Sequence, residues 1–204
     1  MGALDLEVTL VGPPGLAGAW RRSFVGTPVR VVAGDILRAA EGGAVVSPAN
    51  SFGWMTGGLD EAIRRVYARD GTDIIRLVQA EIREHAAGEL PVGMALVVPT
   101  PQARYTHLVV APTMRVPRPV LWTMHAYLAF RAALLATRAW NAAHRERRVT
   151  ELFCPGLATG VGRMPAGRAA RQMRAAWDQV AGAAEDMPSL AVLAAAECRL
   201  RHGR

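Results

Sequence analysis

The 204-residue sequence predicts an α/β fold, a three-layer α/β/α sandwich around a mixed, largely parallel six-stranded central sheet. Two observations carry this prediction. Six short apolar or alternating runs are separated by segments of helical periodicity, the pattern of strands joined by crossover helices. Three of those runs also end in polar, glycine-containing turns that pass into a helix, as chains do at the carboxyl edge of a parallel sheet.

The elements follow in order. A strand over Leu6 to Val11 leads to a short helix over Leu16 to Phe24, then a strand over Val29 to Ala33 that ends at Gly34-Asp35-Ile36. The run Ala44 to Ser47 is a third strand, followed by helices over Leu59 to Ala68 and Ile74 to His85. Strands over Met94 to Val98 and His107 to Val110 precede a long helix, Thr123 to His144, in which Tyr127, Phe130, Leu134 and Leu135 have helix-compatible spacing. The last strand is Thr150 to Cys154, and a helix begins near Gly167 and runs to about Ala184. The tail from Ser189 to Arg204 reads as a helix with a basic end.

Composition bounds the function. A hydrophobic content of 51% over this length suits a single domain, residues 1–204, with a full core. Acids occur early in the N-terminal segment, where a secretory signal needs bases, and no apolar run approaches a membrane span, so a cytoplasmic protein without membrane contact is expected. Cys154 and Cys198 have no Cys-x-x-Cys spacing, and both read as small buried apolar residues. The five histidines are scattered, with His107 reading as a hydrogen-bonded strand residue, so no metal site and no cofactor are expected. The net charge is +7 and every one of the 24 basic residues is Arg. Without Lys there is neither a Walker loop nor Schiff-base chemistry. The arginine surface leaves open weak binding to nucleic-acid phosphates, although Ala and Arg richness also fits biased genome composition.

Two loops carry chemistry. Ser47-Pro48-Ala49-Asn50-Ser51-Phe52-Gly53-Trp54-Met55-Thr56-Gly57-Gly58-Leu59-Asp60 joins a strand to an amphipathic helix, and Pro155-Gly156-Leu157-Ala158-Thr159-Gly160-Val161-Gly162-Arg163 does the same near the end of the chain. Glycines let backbone approach a ligand, and a helix start offers unpaired N–H groups to an anion. A dinucleotide-binding loop is the rival reading, but Gly160-Val161-Gly162 lacks the third glycine at the required spacing.

The order Gly34-Asp35-Ile36, Ser47-Pro48-Ala49-Asn50, Gly57-Gly58-Leu59-Asp60 and Ala158-Thr159-Gly160-Val161-Gly162 resembles the macrodomain family over roughly residues 28–180. Members of that family bind ADP-ribose and often hydrolyse it from modified targets. The resemblance implies that Asp35 accepts from the adenine amino group while the Ile36 N–H donates to the ring. Gly34 and Ala49 would line the same site. Backbone N–H groups of Gly57 and Gly58 on one side, and of Thr159, Gly160, Val161 and Gly162 on the other, would hold the pyrophosphate, with Leu59 and Ala158 as further ligand-site residues of the same loops. The Thr159 hydroxyl would add a donor and Arg163 a charge at the rim. Asn50 would bond the distal ribose, and Asp60 would act on a water attacking its anomeric carbon.

The sequence also departs from the family pattern. Ser47-Pro48 stands where many members have Asn-Ala, two glycines replace a longer run, and the second loop has Gly162 or Arg163 where many members carry an aromatic. Trp54 reads either as a replacement wall of the site or as a residue packed on the core. Asp35 and Asp60 each also stand where a helix-capping carboxylate would. Three functions therefore stay in view: an ADP-ribosyl hydrolase or O-acyl-ADP-ribose deacylase acting on an ADP-ribosylated target, a noncatalytic ADP-ribose reader, and a nucleic-acid-binding protein.

Overall fold

The structure, a computed structural model, describes residues 5–101, 104–182 and 187–203. It contains one six-stranded sheet: β1 (Glu7–Gly12), β2 (Arg30–Ala33), β3 (Ala44–Ser47), β4 (Leu96–Pro99), β5 (His107–Val110) and β6 (Glu151–Cys154), in the spatial order β2-β1-β6-β3-β5-β4. Five neighbouring strands are parallel, and only β4 runs antiparallel, against β5. This is the mixed, largely parallel sheet that the sequence predicts.

Seven α-helices among the described residues cover the sheet: α1 (Pro14–Ser23), α2 (Ile36–Ala39), α3 (Gly58–Arg69), α4 (Ile74–Ala86), α5 (His125–Ala143), α6 (Ala166–Ala181) and α7 (Leu190–His202). The pleat decides which residues meet which helices, because successive side chains point to opposite faces. In β3, Ala44 and Val46 join the core built with α1, α5 and α6, whereas Val45 faces α2, α3 and α4. In β6, Leu152 and Cys154 take the first side and Phe153 the second. The two cores make the three layers.

Within α5, Phe130 and Leu134 are fully buried, while Tyr127 and Leu135 pack at the core margin. The short helix α2 follows the capping position expected at Asp35, although four residues carry no periodicity to mark its length; Asp35 starts it by accepting from the Leu37 N–H at 2.9 Å. The fourth strand begins at Leu96, two residues later than expected, because Val92 and Met94 are taken up in an isolated bridge. The predicted end of α6 at Ala184 lies outside the described residues, as do the chain's first four. Cys154 is buried, and burial pushes its thiol well above the ordinary range. Cys198 is exposed, contrary to expectation, because α7 buries none of its residues.

Candidate functional site

Five parallel strands end on one edge of the sheet, and the loops leaving them enclose a cleft of about 510 Å³. That lies within the range of roughly 300–1,000 Å³ for small-molecule sites. Gly34, Asp35 and Ile36 reach it from β2, Pro48 to Asn50, Trp54 and Thr56 to Asp60 from β3, and Ala158 through Gly162 from β6. Every ligand residue expected from the sequence lines it except Arg163, which is exposed and turned away by a left-handed backbone, φ 53°. The sequence pattern does not single out the two remaining walls. Gly12, Pro13 and Leu16 come from the exit of β1, and Thr113, Met114 and Pro117 from the exit of β5. Proline directly after an apolar run, at Gly12-Pro13 and Ala111-Pro112, was their available signal.

The first loop is shaped by Asn50. Its Oδ1 accepts from the N–H groups of Phe52 (3.1 Å) and Trp54 (3.3 Å), and its Nδ2 donates to the Trp54 carbonyl at 2.7 Å. The side chain thus organises its own loop as an Asx turn. One amide proton is left for anything else. Trp54 stands 55% exposed on the cleft rim rather than packed on the core, and Met55 takes the core position instead.

Gly57 and Gly58 then open α3. Gly57 is the N-cap and offers no side-chain acceptor, while Gly58 has φ 59°, a left-handed backbone that a larger residue would strain. The N–H groups of Gly58 and Leu59 have no partner among the described residues. A Cβ built on Gly57 or Gly58 would meet nothing within 4 Å, so packing does not require glycine at either position.

Asp60 is the third residue of α3, in its first turn rather than at its cap. It is 8% exposed, and its Oδ1 accepts the Ser47 hydroxyl at 2.6 Å from the end of β3. Its Oδ2 has no partner among the described residues. Burial pushes its carboxyl up to about 6, and the Ser47 hydrogen bond opposes that rise. A carboxyl so placed changes charge near neutral pH at the cleft wall.

The second loop presents the N–H groups of Gly160, Val161 and Gly162, which have no partner among the described residues. Ala158 at φ 62° and Arg163 at φ 53° bend the chain, and hydrogen bonds from Arg163 N to Gly160 O (3.0 Å) and from Met164 N to Ala158 O (2.9 Å) fix the bend. Gly162 has no room for a side chain: a Cβ would lie 2.5 Å from the Ala158 carbonyl oxygen. The Thr159 hydroxyl, expected as an extra donor, instead gives its hydrogen to Gly156 O at 2.9 Å.

Among the described residues no arginine or histidine lines the cleft. His107 begins β5 at the opposite edge of the sheet. It is buried with Nδ1 against the Thr106 hydroxyl, and burial, then Arg147 and His144, hold its imidazole below the usual range. Among the described residues no group of three or more His, Cys, Asp or Glu is placed to hold a metal ion, and no helix is long and apolar enough to cross a membrane.

Fold and site together define an α/β module with a cleft that presents uncharged backbone N–H groups at the carboxyl ends of its parallel strands. The chain belongs to the Macro domain family, whose model matches residues 46–173. It is 31% identical over 149 residues to an uncharacterized protein of Aquifex aeolicus (strain VF5), covering 71% of this chain and 78% of that one. Among solved structures it is similar to the macrodomain of Mycobacterium tuberculosis DarG, with a TM-score of 0.56 at 20% identity over 74% of this chain and 90% of that one. It is also similar to a mutant Oceanobacillus iheyensis macrodomain with ADPR, with a TM-score of 0.52 at 21% identity over 69% and 72% of the two chains.

Proposed function

We propose that the cleft binds ADP-ribose and that Asp60 hydrolyses its bond to a modified target or an acyl group. The length of the cleft supports the ligand. From the exit of β2 to that of β5 lie four strand intervals, about 19 Å at roughly 4.8 Å each, room for an extended adenosine, pyrophosphate and ribose. The base lies at Asp35 and Ile36, the pyrophosphate between the start of α3 and the 160–162 amides, and the distal ribose near Asn50 and Asp60. Family membership and a solved Oceanobacillus iheyensis macrodomain mutant with ADPR point the same way.

The observation that carries the catalytic reading is Asp60 itself, a buried cleft carboxyl near 6 with one oxygen unpartnered. Positioned by Ser47, the carboxylate takes a proton from water as the water oxygen bonds to the anomeric carbon. The bond to the target breaks with its electron pair on the target atom, which takes up a proton from Asp60 or solvent. In an O-acyl ester the same water bonds instead to the acyl carbon while the ribose oxygen leaves and is protonated. Its negative charge also favours the positive charge that develops on the ribose. One observation favours a reader that binds without turnover: Asn50 is spent on its loop and has one amide proton for a ribose hydroxyl.

Calorimetry with ADP-ribose, followed by release assays on Glu/Asp-, Ser- and Arg-linked, nucleic-acid-linked and O-acyl substrates, tests both levels. The expected result is binding at about micromolar Kd, roughly −8 kcal/mol, and turnover of at least one linkage. Absence of heat and of thermal shift at millimolar ligand removes the ADP-ribose reading. Binding with no release from any substrate leaves the reader.

A further inference from the structure

Beyond β5 the chain passes Pro117 at the cleft and reaches α5 through a segment outside any strand or helix, yet clamped from the far side. Three successive carbonyls accept from α6 and α7 side chains: Leu121 from Arg168 Nη1 at 2.6 Å, Trp122 from Arg201 Nε at 2.7 Å, and Thr123 from Gln172 Nε2 at 2.7 Å. The Trp122 ring also holds the Arg168 guanidinium 4.0 Å from its centroid and stacks with His202 at 5.6 Å and 24°. Gln172, fully buried, gives a second bond to the Leu200 carbonyl of α7 at 3.3 Å.

On its other side the segment holds the cleft. The Val120 N–H donates to the Gly162 carbonyl at 2.8 Å, and a Cβ on Gly162 would come within 2.8 Å of Val120 Cγ2. The contacts thus run from α7 through Trp122 and Val120 to the glycine loop. Their opposite end is thin: α7 buries none of its residues and lies beyond the family-matched segment.

We infer that the last turn of α7 is a clamp on the 117–123 wall, and that Arg201 is a positioning residue for the far, β5 end of the cleft. The inference rests on the ADP-ribose reading for its consequence. Topology makes that consequence selective. Asp35 and Ile36 belong to the exit of β2, four strands away from β5, so loosening the wall disturbs the distal ribose and leaves the base end intact. Selectivity between whole and truncated ligands therefore depends on a helix that contributes nothing to the cleft lining.

The test compares wild type with Arg201→Ala, Arg201→Lys and His202→Ala in the full chain. Kd values are measured for ADP-ribose and for ADP, which keeps the pyrophosphate and lacks only the second ribose, and amide exchange of the peptide spanning 117–123 is followed without ligand. The clamp predicts faster exchange in Arg201→Ala, ADP-ribose binding weakened about three- to tenfold, ADP binding within about twofold, and recovery of most of the loss by Arg201→Lys through its restored donor. Unchanged exchange in both alanine variants overturns the clamp, as does equal weakening of the two ligands. If wild type binds neither ligand, the ADP-ribose reading fails, and the exchange of 117–123 alone decides the clamp.

Discussion

Ser47 and Asp60, thirteen residues apart, meet at 2.6 Å where β3 gives way to the cleft. The hydroxyl favours the ionised carboxylate while burial opposes it, and burial prevails. Ser47 belongs to the sheet and Asp60 to the first turn of α3, so the pair also fixes the angle at which the intervening loop leaves the sheet. The position at which this chain departs from the common family pattern is thus the partner of its cleft acid.

Asp60 costs the fold stability at neutral pH. An acid that ionises at 3.8 when unfolded and about 6 when folded holds a proton in the native state between those values that the unfolded chain has lost. Stability therefore falls as pH rises through that window, and the shift corresponds to about 3 kcal/mol at pH 7.5. Asp60→Asn should raise Tm at pH 7.5 by about 6–12 °C and leave it nearly unchanged at pH 3.5, while lowering turnover roughly 10²–10⁴-fold. Scanning calorimetry across pH checks the first effect. A Tm gain of equal size at both pH values refutes the buried-acid account.

Ser47→Ala removes the group that lowers the Asp60 carboxyl, leaving burial unopposed. The acidic limb of the pH–rate profile, expected near 6 in wild type, should move to higher pH, with the maximal rate regained in alkaline buffer. Carboxyl titration by NMR should follow the same displacement. A profile that loses height without moving assigns Ser47 to loop geometry alone.

The sheet was legible in the sequence because each strand is apolar and bounded by turn residues. Ala44–Ser47 and His107–Val110 match their expected ends, and the others shift by one or two residues. Loop chemistry was legible where glycines marked it. Hydrogen-bond commitment was not, since it depends on how a loop closes: nothing in Thr159 itself says that its hydroxyl bonds Gly156, or in Asn50 that it serves Trp54. The cleft walls from β1 and β5 went unseen because strand order, which brings those exits beside β6 and β3, is absent from local pattern.

The two glycines of the second loop should separate binding from folding. A Cβ on Gly160 would meet nothing within 4 Å, so Gly160→Glu should fold normally yet abolish ADP-ribose binding by placing bulk and like charge on the pyrophosphate path. Gly162→Ala should destabilise by about 1–3 kcal/mol, because its Cβ collides with the Ala158 carbonyl and Val120. Thermal melts paired with calorimetry distinguish them. A Gly160→Glu protein with unaltered affinity takes this loop out of the binding site.

Asp35 has two duties that substitution can part. It caps α2 through the Leu37 N–H and, in the proposed complex, accepts from the adenine amino group. Asp35→Ser keeps a capping oxygen but withdraws the reach and the charge, so Tm should stay within about 2 °C, the equivalent of roughly 0.5 kcal/mol. ADP-ribose affinity should fall about tenfold or more, as expected for a hydrogen bond to a charged acceptor. A variant that binds as tightly as wild type leaves Asp35 with the cap alone.

Salt separates the cleft from the arginine surface. The net charge is +7, its positive charges are all arginines, and none of the described arginines lines the cleft. A pyrophosphate held by backbone N–H groups releases no counterions from paired side chains, whereas a polyanion on the outer arginines does. Between about 50 and 200 mM salt, ADP-ribose affinity should change less than about twofold, while any affinity for a short RNA or DNA should fall roughly tenfold or more. Fluorescence titration of both ligands over that range measures the contrast. Steep salt dependence for ADP-ribose would mean that a rim arginine, Arg163 first among them, turns into the occupied site; a nucleic-acid complex persisting at 200 mM would instead give the arginine surface a function of its own.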